Sequence, residues 1–281
     1  MSVKSKDIFF KFWVYLSGTT VIFLTFFVFI YALYKGAGVV SLEFIFDSPK
    51  GMPLGTDGGI FPAIMGSLMS GILAGLMGGV LGLCTSVYLV FYCNNKNVKI
   101  YILQALRCLA GIPSVVIGLF GYTILIVVLG VNKSLLSVSI TLTIMIIPFI
   151  EIRIQKALEE TSRELYISCL SLGISKSYTI IHLVIPNALR YIMTSLGLGI
   201  VFAMGATAPI MFTGAVIISG VPTKLSDPIM ALPYHLYMLV NEGLSVEMAY
   251  GTAFVLIVIL LMINLICRFI GDFKEGAKWK N

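Results

Sequence analysis

The chain has 281 residues, of which 58% are hydrophobic and only 11% are charged. Soluble domains carry about 25% charged residues, so this composition excludes a soluble globular protein. The net charge of +6 could indicate a nucleic-acid partner, but the basic residues separate apolar runs instead of clustering on one polar surface. We therefore expect a membrane protein that contacts lipid and does not bind nucleic acid.

Apolar runs of membrane-spanning length occur six times along the chain. A helix needs about 20 apolar residues to cross the hydrocarbon core of a bilayer. Together the runs predict one all-α integral membrane domain over residues 1–281, with its core at residues 62–270. The predicted spans are Phe12–Tyr34, Ala63–Tyr92, Cys108–Gly130, Leu135–Ile152, Ala188–Ser219 and Glu247–Ile270.

The basic residues orient these spans. An even number of spans places both termini on one side of the membrane, and Lys and Arg accumulate on the cytoplasmic side. If the termini are cytoplasmic, the outer segments hold only Lys35, Lys50, Lys133 and Lys224. This arrangement is predicted, with residues 35–61 and 220–246 as the two long outer loops.

Glycines at four-residue spacing mark the second span. Gly71, Gly75 and Gly79 lie on one helix face, where small residues let another backbone approach closely. We expect this face to pack against a partner subunit, although glycine is also simply frequent in membrane helices. In the fifth span, Pro209 is expected to kink or end the helix, because proline cannot donate a backbone hydrogen bond.

Residues 153–187 form a long, patterned cytoplasmic segment. Thr161 and Glu164 fit a capping box, which predicts a helix start near Thr161. Gly173 fits a left-handed helix stop, and Ser175 fits the N-cap of a second helix that ends before Pro186. The local pattern alone indicates an amphipathic element at the membrane surface, whose apolar face is formed by Leu165, Cys169 and Leu172.

The spacing of Gly173 and Pro186 resembles the cytoplasmic loop through which bacterial ABC importer permeases contact their ATPases. Relatives open this loop with Glu-Ala-Ala, where this chain has Ile167-Ser168-Cys169, so Glu164 is a candidate replacement one turn earlier. The resemblance implies a coupling helix between the fourth and fifth spans. The implied ATPase-coupling residues are Glu164, Leu165, Cys169, Leu172, Gly173, Ser175, Lys176 and Pro186.

Longer blocks resemble the A subunit of the phosphate-specific importer permease. They include "EFIFDSPKGMPLGTDGGIFPAIMGSL", "LAGIPSVVIGLFGY", "RELYISCLSLGISKSYTIIHLVIPNAL" and "TAPIMFTGA", in the order of the family. The resemblance implies the type I ABC importer permease fold in the bacterial cytoplasmic membrane. It also implies four kinds of partner, namely a C-type permease, two ATPase subunits, an extracytoplasmic phosphate-binding protein and phosphate itself.

The sequence shows no nucleophile–base pair, no metal-ligand cluster and no Walker-type phosphate loop. We therefore expect a subunit with no catalytic residues, cofactor or metal of its own, with ATP bound by the partner ATPases. Two alternatives stay open at this point. The chain could carry another oxyanion, or it could be a non-transporting scaffold that senses phosphate.

The chain departs from the family in the fifth span. Relatives commonly read R-x-x-x-E-T-A-P, and this chain has Phe202 and Ala206 at the two charged positions. Such intramembrane ions normally mark a substrate path. If phosphate passes, we expect the partner subunit to supply the cation and this half to supply neutral groups, although its hydroxyls could equally bond to their own helix. The predicted pathway residues are Ser195, Phe202, Ala206, Thr207, Pro209 and Thr213.

Overall fold

A computed structural model describes residues 3–51, 57–161 and 163–278. Nearly all of the described chain is helical, and a two-residue antiparallel hairpin pairs Pro49–Lys50 with Asp57–Gly58. The helices are α1 (Val3–Ala37), α2 (Leu42–Phe46), α3 (Phe61–Val87), α4 (Lys96–Ala110), α5 (Ser114–Gly121), α6 (Leu135–Thr161), α7 (Arg163–Ser171), α8 (Lys176–Thr179), α9 (Ile185–Met204), α10 (Thr207–Thr213), α11 (Leu232–Asn241) and α12 (Val246–Lys278).

Three π-helical turns extend these helices. Tyr88–Tyr92 continues α3, Tyr122–Val128 continues α5, and Ile180–Val184 joins α8 to α9. Five of the resulting helices are long and apolar enough to cross a membrane, and a sixth is counted if α4 and α5 form one bent span. The predicted all-α multi-pass fold is thus confirmed.

The third span differs from its prediction. Residues Cys108–Gly130 do not form one straight helix, because α4 and α5 meet at an angle of 100°. The break covers Gly111 to Pro113, where proline disfavours a helical conformation of the residue before it. Every residue of α4 is at least partly exposed, and the helix from Ser114 to Val128 is only about 22 Å long at 1.5 Å per residue.

Helix α6 is longer than the sequence predicted. Its apolar span was expected to end at Ile152, but the helix continues to Thr161 with Ile150, Ile154 and Leu158 buried at four-residue spacing. A new helix does begin close to the position expected near Thr161, since α7 starts at Arg163. The side chain of Thr161 lies outside the described part, as does its capping-box bond.

The core is a tight packing of α3 against α6 and α9. A Cβ atom at Gly71, Gly75 or Gly79 would overlap a side chain of α9 at Met204, Ile200 or Leu196 respectively. On the neighbouring face, a Cβ at Gly82 would lie 3.0 Å from Ile150 of α6. Close packing at the glycine face is confirmed, and the approaching helix belongs to the same chain; packing of this span against a partner subunit stays a prediction.

The outer loops carry short elements that cover the core. Ser41 caps α2 by accepting a hydrogen bond from the Phe44 backbone N–H at 3.0 Å. Helix α11 lies in the second outer loop, where the Leu232 backbone N–H donates to the Ser67 hydroxyl of α3 at 2.8 Å. Both loops are thereby tied to the outer end of the helical core.

Candidate functional site

The cytoplasmic segment folds as helix, glycine turn and helix. Gly173 has a φ of +77°, the left-handed conformation predicted for it. The Ile174 backbone N–H donates to the Cys169 carbonyl at 3.1 Å, and the Gly173 N–H donates to the Leu170 carbonyl at 3.0 Å. This pair of bonds is a Schellman motif, which ends α7 and reverses the chain into α8.

The apolar face predicted for this segment holds only in part, since Leu165 is partly buried and Leu172 does not share the buried face. Cys169 is buried within the chain, whereas Leu172 lies beyond the end of α7 and is 79% exposed. The reason is a contact to the end of α3, where the Tyr166 ring packs 4.7 Å from the Phe91 ring and turns that face of α7 inward. The exposed apolar set of the segment consists of Ile167, Leu170, Leu172, Tyr178 and Ile181.

The polar residues of the segment have mixed roles. Ser175 is the N-cap of α8 by position, but its side chain makes no capping bond. The Lys176 ammonium lies 4.3 Å from the centre of the Tyr92 ring, a cation–π contact that ties α8 to the end of α3. Glu164 is exposed in the first turn of α7. Glu164 and Ser175 are thus the exposed members of this set.

The helix does not end before Pro186, contrary to the prediction. The π-helical turn Ile180–Val184 leads directly into α9, and Pro186 occupies its first turn. Pro186 cannot donate a backbone hydrogen bond, and the π-helical turn that changes the hydrogen-bond spacing lies directly before it. Helix α8 and helix α9 are consequently one continuous element from Lys176 to Met204.

A cavity of about 750 Å³ lies between α6 and α9 and reaches the end of α5. Four predicted pathway residues line this cavity, namely Ser195, Phe202, Ala206 and Thr207. The Phe202 ring packs edge-on at 4.7 Å from the Phe149 ring of α6 and remains 44% exposed. The wall is therefore mostly apolar, with hydroxyl groups from Ser195 and Thr207.

Two predicted pathway residues lie elsewhere. Pro209 is buried against α5, where a Cβ at Gly118 would lie 2.9 Å from its Cα atom. Thr213 is buried, and its hydroxyl donates to the Pro209 carbonyl at 2.7 Å. Neither residue lines the 750 Å³ cavity, so their place in the pathway stays a prediction. Ser195 also bonds to its own helix, donating to the Tyr191 carbonyl at 2.7 Å.

Phe202 and Ala206 do not lie on one helix, although the sequence placed both in a single fifth span. Helix α9 ends at Met204, and Ala206 is the N-cap of α10 with extended backbone. The break at Gly205 and Ala206 precedes Pro209, which sits in the first turn of α10 and does not itself end α9. Both positions still face the same cavity, because the chain changes direction between them.

Arg153 is the wall residue that sequence reasoning missed. It is the one charged side chain among the described residues that line the 750 Å³ cavity. The sequence placed it just past the end of the fourth span, as a topology-setting charge. Its signal was the spacing from Phe149, since residues four apart share a helix face once α6 is known to continue.

A second cavity of about 640 Å³ adjoins the first, on the side that the sequence predicts to be cytoplasmic. The two cavities share Arg153, Ser195 and Leu198 in their walls. The second is more polar, and its further lining residues include Lys156, Glu160, Arg190, Asn264 and Arg268. The geometry is that of a polar cytoplasmic chamber opening into a largely apolar inner one.

Several known proteins resemble this chain in sequence. The phosphate transport system permease protein PstA 2 of Mycobacterium bovis is 30% identical over 228 residues, 80% of this chain and 75% of the relative. PstA of Mycobacterium leprae is 32% identical over 221 residues, 76% of this chain and 71% of the relative. The probable ABC transporter permease protein YqgI of Bacillus subtilis is 24% identical over 249 residues, covering 83% and 85%.

Solved structures resemble its fold. A chain of a bacterial alginate ABC transporter matches with a TM-score of 0.66 and 15% identity, covering 93% of this chain and 94% of that chain. A chain of the inward-facing MetNI methionine ABC transporter matches with a TM-score of 0.65 and 16% identity, covering 75% and 94%.

The family model described as binding-protein-dependent transport system inner membrane component matches residues 94–275, more than half of the chain. Together with the relatives, this match confirms the resemblance to the A-subunit phosphate permeases. The chain is a multi-pass inner-membrane protein, and it belongs to the family of binding-protein-dependent ABC importer permeases.

Proposed function

We propose that this chain is the A-type permease of an ATP-driven phosphate importer. It forms half of a heterodimeric pore with a C-type permease, receives phosphate from an extracytoplasmic binding protein, and is driven by two ATPase subunits that alone bind and hydrolyse ATP. The assignment of phosphate as the substrate rests on the 30–32% identity to phosphate permeases over most of the chain.

The cytoplasmic segment supports the coupling step of this proposal. Its exposed apolar set offers side chains such as Leu172 and Tyr178 to a docking groove on an ATPase subunit. Because α8 continues into α9 without a break, a push on the segment reaches the cavity wall at Ser195 and Phe202. Closure of the ATPases then alters access to the cavity by tilting α9.

The test is transport by the complete complex. The chain is reconstituted in proteoliposomes with its C-type permease and ATPases, and uptake of radiolabelled phosphate is measured with binding protein and ATP present. Uptake is expected only with both, and not with an ATPase that lacks its Walker lysine. Uptake of sulfate in place of phosphate would instead establish an oxyanion permease of another specificity. ATP hydrolysis without uptake of any anion would establish a sensing scaffold and overturn the transport function.

A further inference from the structure

The two cavities of the chain meet at one arginine. Arg153 lines both of them, together with Ser195 and Leu198 of α9. It lies one helical turn beyond Phe149, whose ring forms the apolar wall with Phe202. Arg153 therefore lies where the walls of the two cavities meet.

Among the described residues that line the cytoplasmic chamber, Arg153 and Arg268 are the basic side chains without an ion pair, and of these two only Arg153 also lines the inner cavity. Arg190 forms an ion pair with Asp272 at 2.7 Å, and Lys156 faces Glu160 at 3.8 Å. Arg153 is exposed and makes no hydrogen bond or ion pair to any residue that the structure describes. A guanidinium keeps its charge at all working pH values and offers a planar set of donors that fits an oxyanion.

Orientation by the positive-inside effect does not account for this placement. Helix α6 continues for two more turns after Arg153, to Thr161. A residue needed only as a cytoplasmic charge could lie anywhere along that extension, but Arg153 lies at the junction of the cavities. The hydroxyl of Ser195, the nearest shared polar group, already donates to its own helix.

We propose that Arg153 is the anion-binding residue of the translocation route in this half of the pore. It holds a small tetrahedral oxyanion at the junction of the two cavities, and so supplies within this chain the cation that Phe202 and Ala206 do not. The identity of that oxyanion as phosphate rests on the proposed function. The role of Arg153 does not, because any oxyanion meets the same guanidinium.

The experiment compares Arg153→Gln, Arg153→Lys and the matched control Arg107→Gln in the reconstituted complex. Arg107 is an exposed arginine of α4 that is absent from the described walls of both cavities, so its loss removes the same charge elsewhere. Uptake of phosphate, sulfate and molybdate is measured in vesicles of zwitterionic phosphatidylcholine and in vesicles containing anionic phosphatidylglycerol. Co-purification of all subunits establishes that each variant assembles.

We expect Arg153→Gln to lower the maximal uptake rate about tenfold or more, the loss typical of a hydrogen bond to a charged group. Arg153→Lys should recover part of the rate, and Arg107→Gln should equal the wild type. Loss of sulfate uptake in a complex that ignores phosphate would support the role of Arg153 while rejecting phosphate as the substrate.

Three results would overturn the proposal. The first is equal uptake of every anion by Arg153→Gln and Arg107→Gln. The second is an effect of Arg153→Gln that occurs only with phosphatidylglycerol, which would assign the arginine to a lipid headgroup. The third is failure of Arg153→Gln, but not of Arg153→Lys, to assemble, which would assign it to an ion pair with another subunit.

Discussion

The two faces of helix α9 differ in how closely they are packed. On the face toward α3, Leu196, Ile200 and Met204 fit into notches left by glycines, and Met204 is fully buried. On the face toward α6 and the cavity, Ser195 and Phe202 line a space of about 750 Å³. We call the first the dry face, because its three side chains pack closely against glycines of α3, and the second the cavity face, because it borders the open space.

The difference shows how a single helix can move and still hold the fold together. The dry face fixes α9 to α3, because close packing tolerates little change of volume. The cavity face loses few contacts when the helix tilts, because few atoms oppose it. A displacement that enters at α8 is therefore expected to change the cavity while α3 and α9 move together.

The largest effect is expected from closing a notch on the dry face. Gly75→Leu places a side chain where the Ile200 side chain already lies, so α3 and α9 must separate. Overpacking usually costs about 1–3 kcal/mol, and a larger loss is expected here because four carbons are added directly against the γ- and δ-carbons of the Ile200 side chain. We expect the yield of folded protein and its melting temperature in mild detergent to fall strongly.

Gly18→Leu is the matched control, because Gly18 lies in α1 with open space around it. It should leave both quantities unchanged. A Gly75→Leu protein as stable as this control would show that α3 and α9 are not in close contact.

The second comparison uses two neighbouring large residues on opposite faces of α9. Met204→Ala removes a fully buried side chain and should lower the free energy of unfolding by about 2–5 kcal/mol. Phe202→Ala removes a half-exposed ring whose main contact is Phe149, so a loss of about 0.5–1.5 kcal/mol is expected. Thermal unfolding of both variants in one detergent measures the difference, and equal losses would contradict the distinction between the faces.

The sequence predicted that the glycine face of α3 packs closely, but not which helix packs against it. The four-residue spacing of Gly71, Gly75 and Gly79 indicates close approach, because the spacing of a helix is a local property. This spacing does not indicate which helix approaches. Here the approaching side chains include Leu196 and Ile200, which lie more than a hundred residues further along the chain.

The same limit explains the results for the functional regions. The Gly173 turn was predictable, because a left-handed stop depends on the residue itself. The buried face of α7 was not, because it is set by the contact of Tyr166 with Phe91 of a distant helix. Arg153 was missed because hydropathy ended the span at Ile152, whereas packing carries α6 to Thr161.

A smaller effect is expected from pH, through the loop that covers the outer end of the core. Burial lowers the pKa of His235 in α11 from 6.5 to about 4, and its Nδ1 lies 3.3 Å from the Thr252 hydroxyl. The unfolded chain therefore takes up a proton below about pH 6.5 while the folded chain does not. The contribution of neutral His235 to the free energy of unfolding is therefore fully present above about pH 6.5. It falls by about 1.4 kcal/mol per pH unit as the pH drops toward 4.

Melting temperatures at pH 7.5 and pH 5 measure this effect. In His235→Gln, the decrease in the free energy of unfolding between pH 7.5 and pH 5 should be about 2 kcal/mol smaller than in the wild type, by the same linkage. His182→Gln changes an exposed histidine of the coupling segment and serves as the control. An unchanged pH dependence in His235→Gln would show that His235 is not buried as a neutral group.

The smallest effect on the melting temperature is expected at the Gly173 turn between α7 and α8, where the proposed function makes the effect on coupling large. Gly173→Val meets no steric obstacle, since nothing lies within 4 Å of a Cβ atom there, so its only cost is the left-handed backbone. That cost is about 1–2 kcal/mol, which shifts the turn away from its native conformation by a factor of about 5–30. We expect ATPase co-purification to fall by a similar factor at nearly constant melting temperature.

Gly173→Asn should retain the ATPase, because asparagine tolerates the left-handed region. Gly111→Val places the same side chain at a glycine with an ordinary φ of −85° and should behave as the wild type. Normal ATPase binding by Gly173→Val would mean that the Schellman turn does not position the segment for docking, and the assignment of α7 and α8 as the coupling element would fall with it.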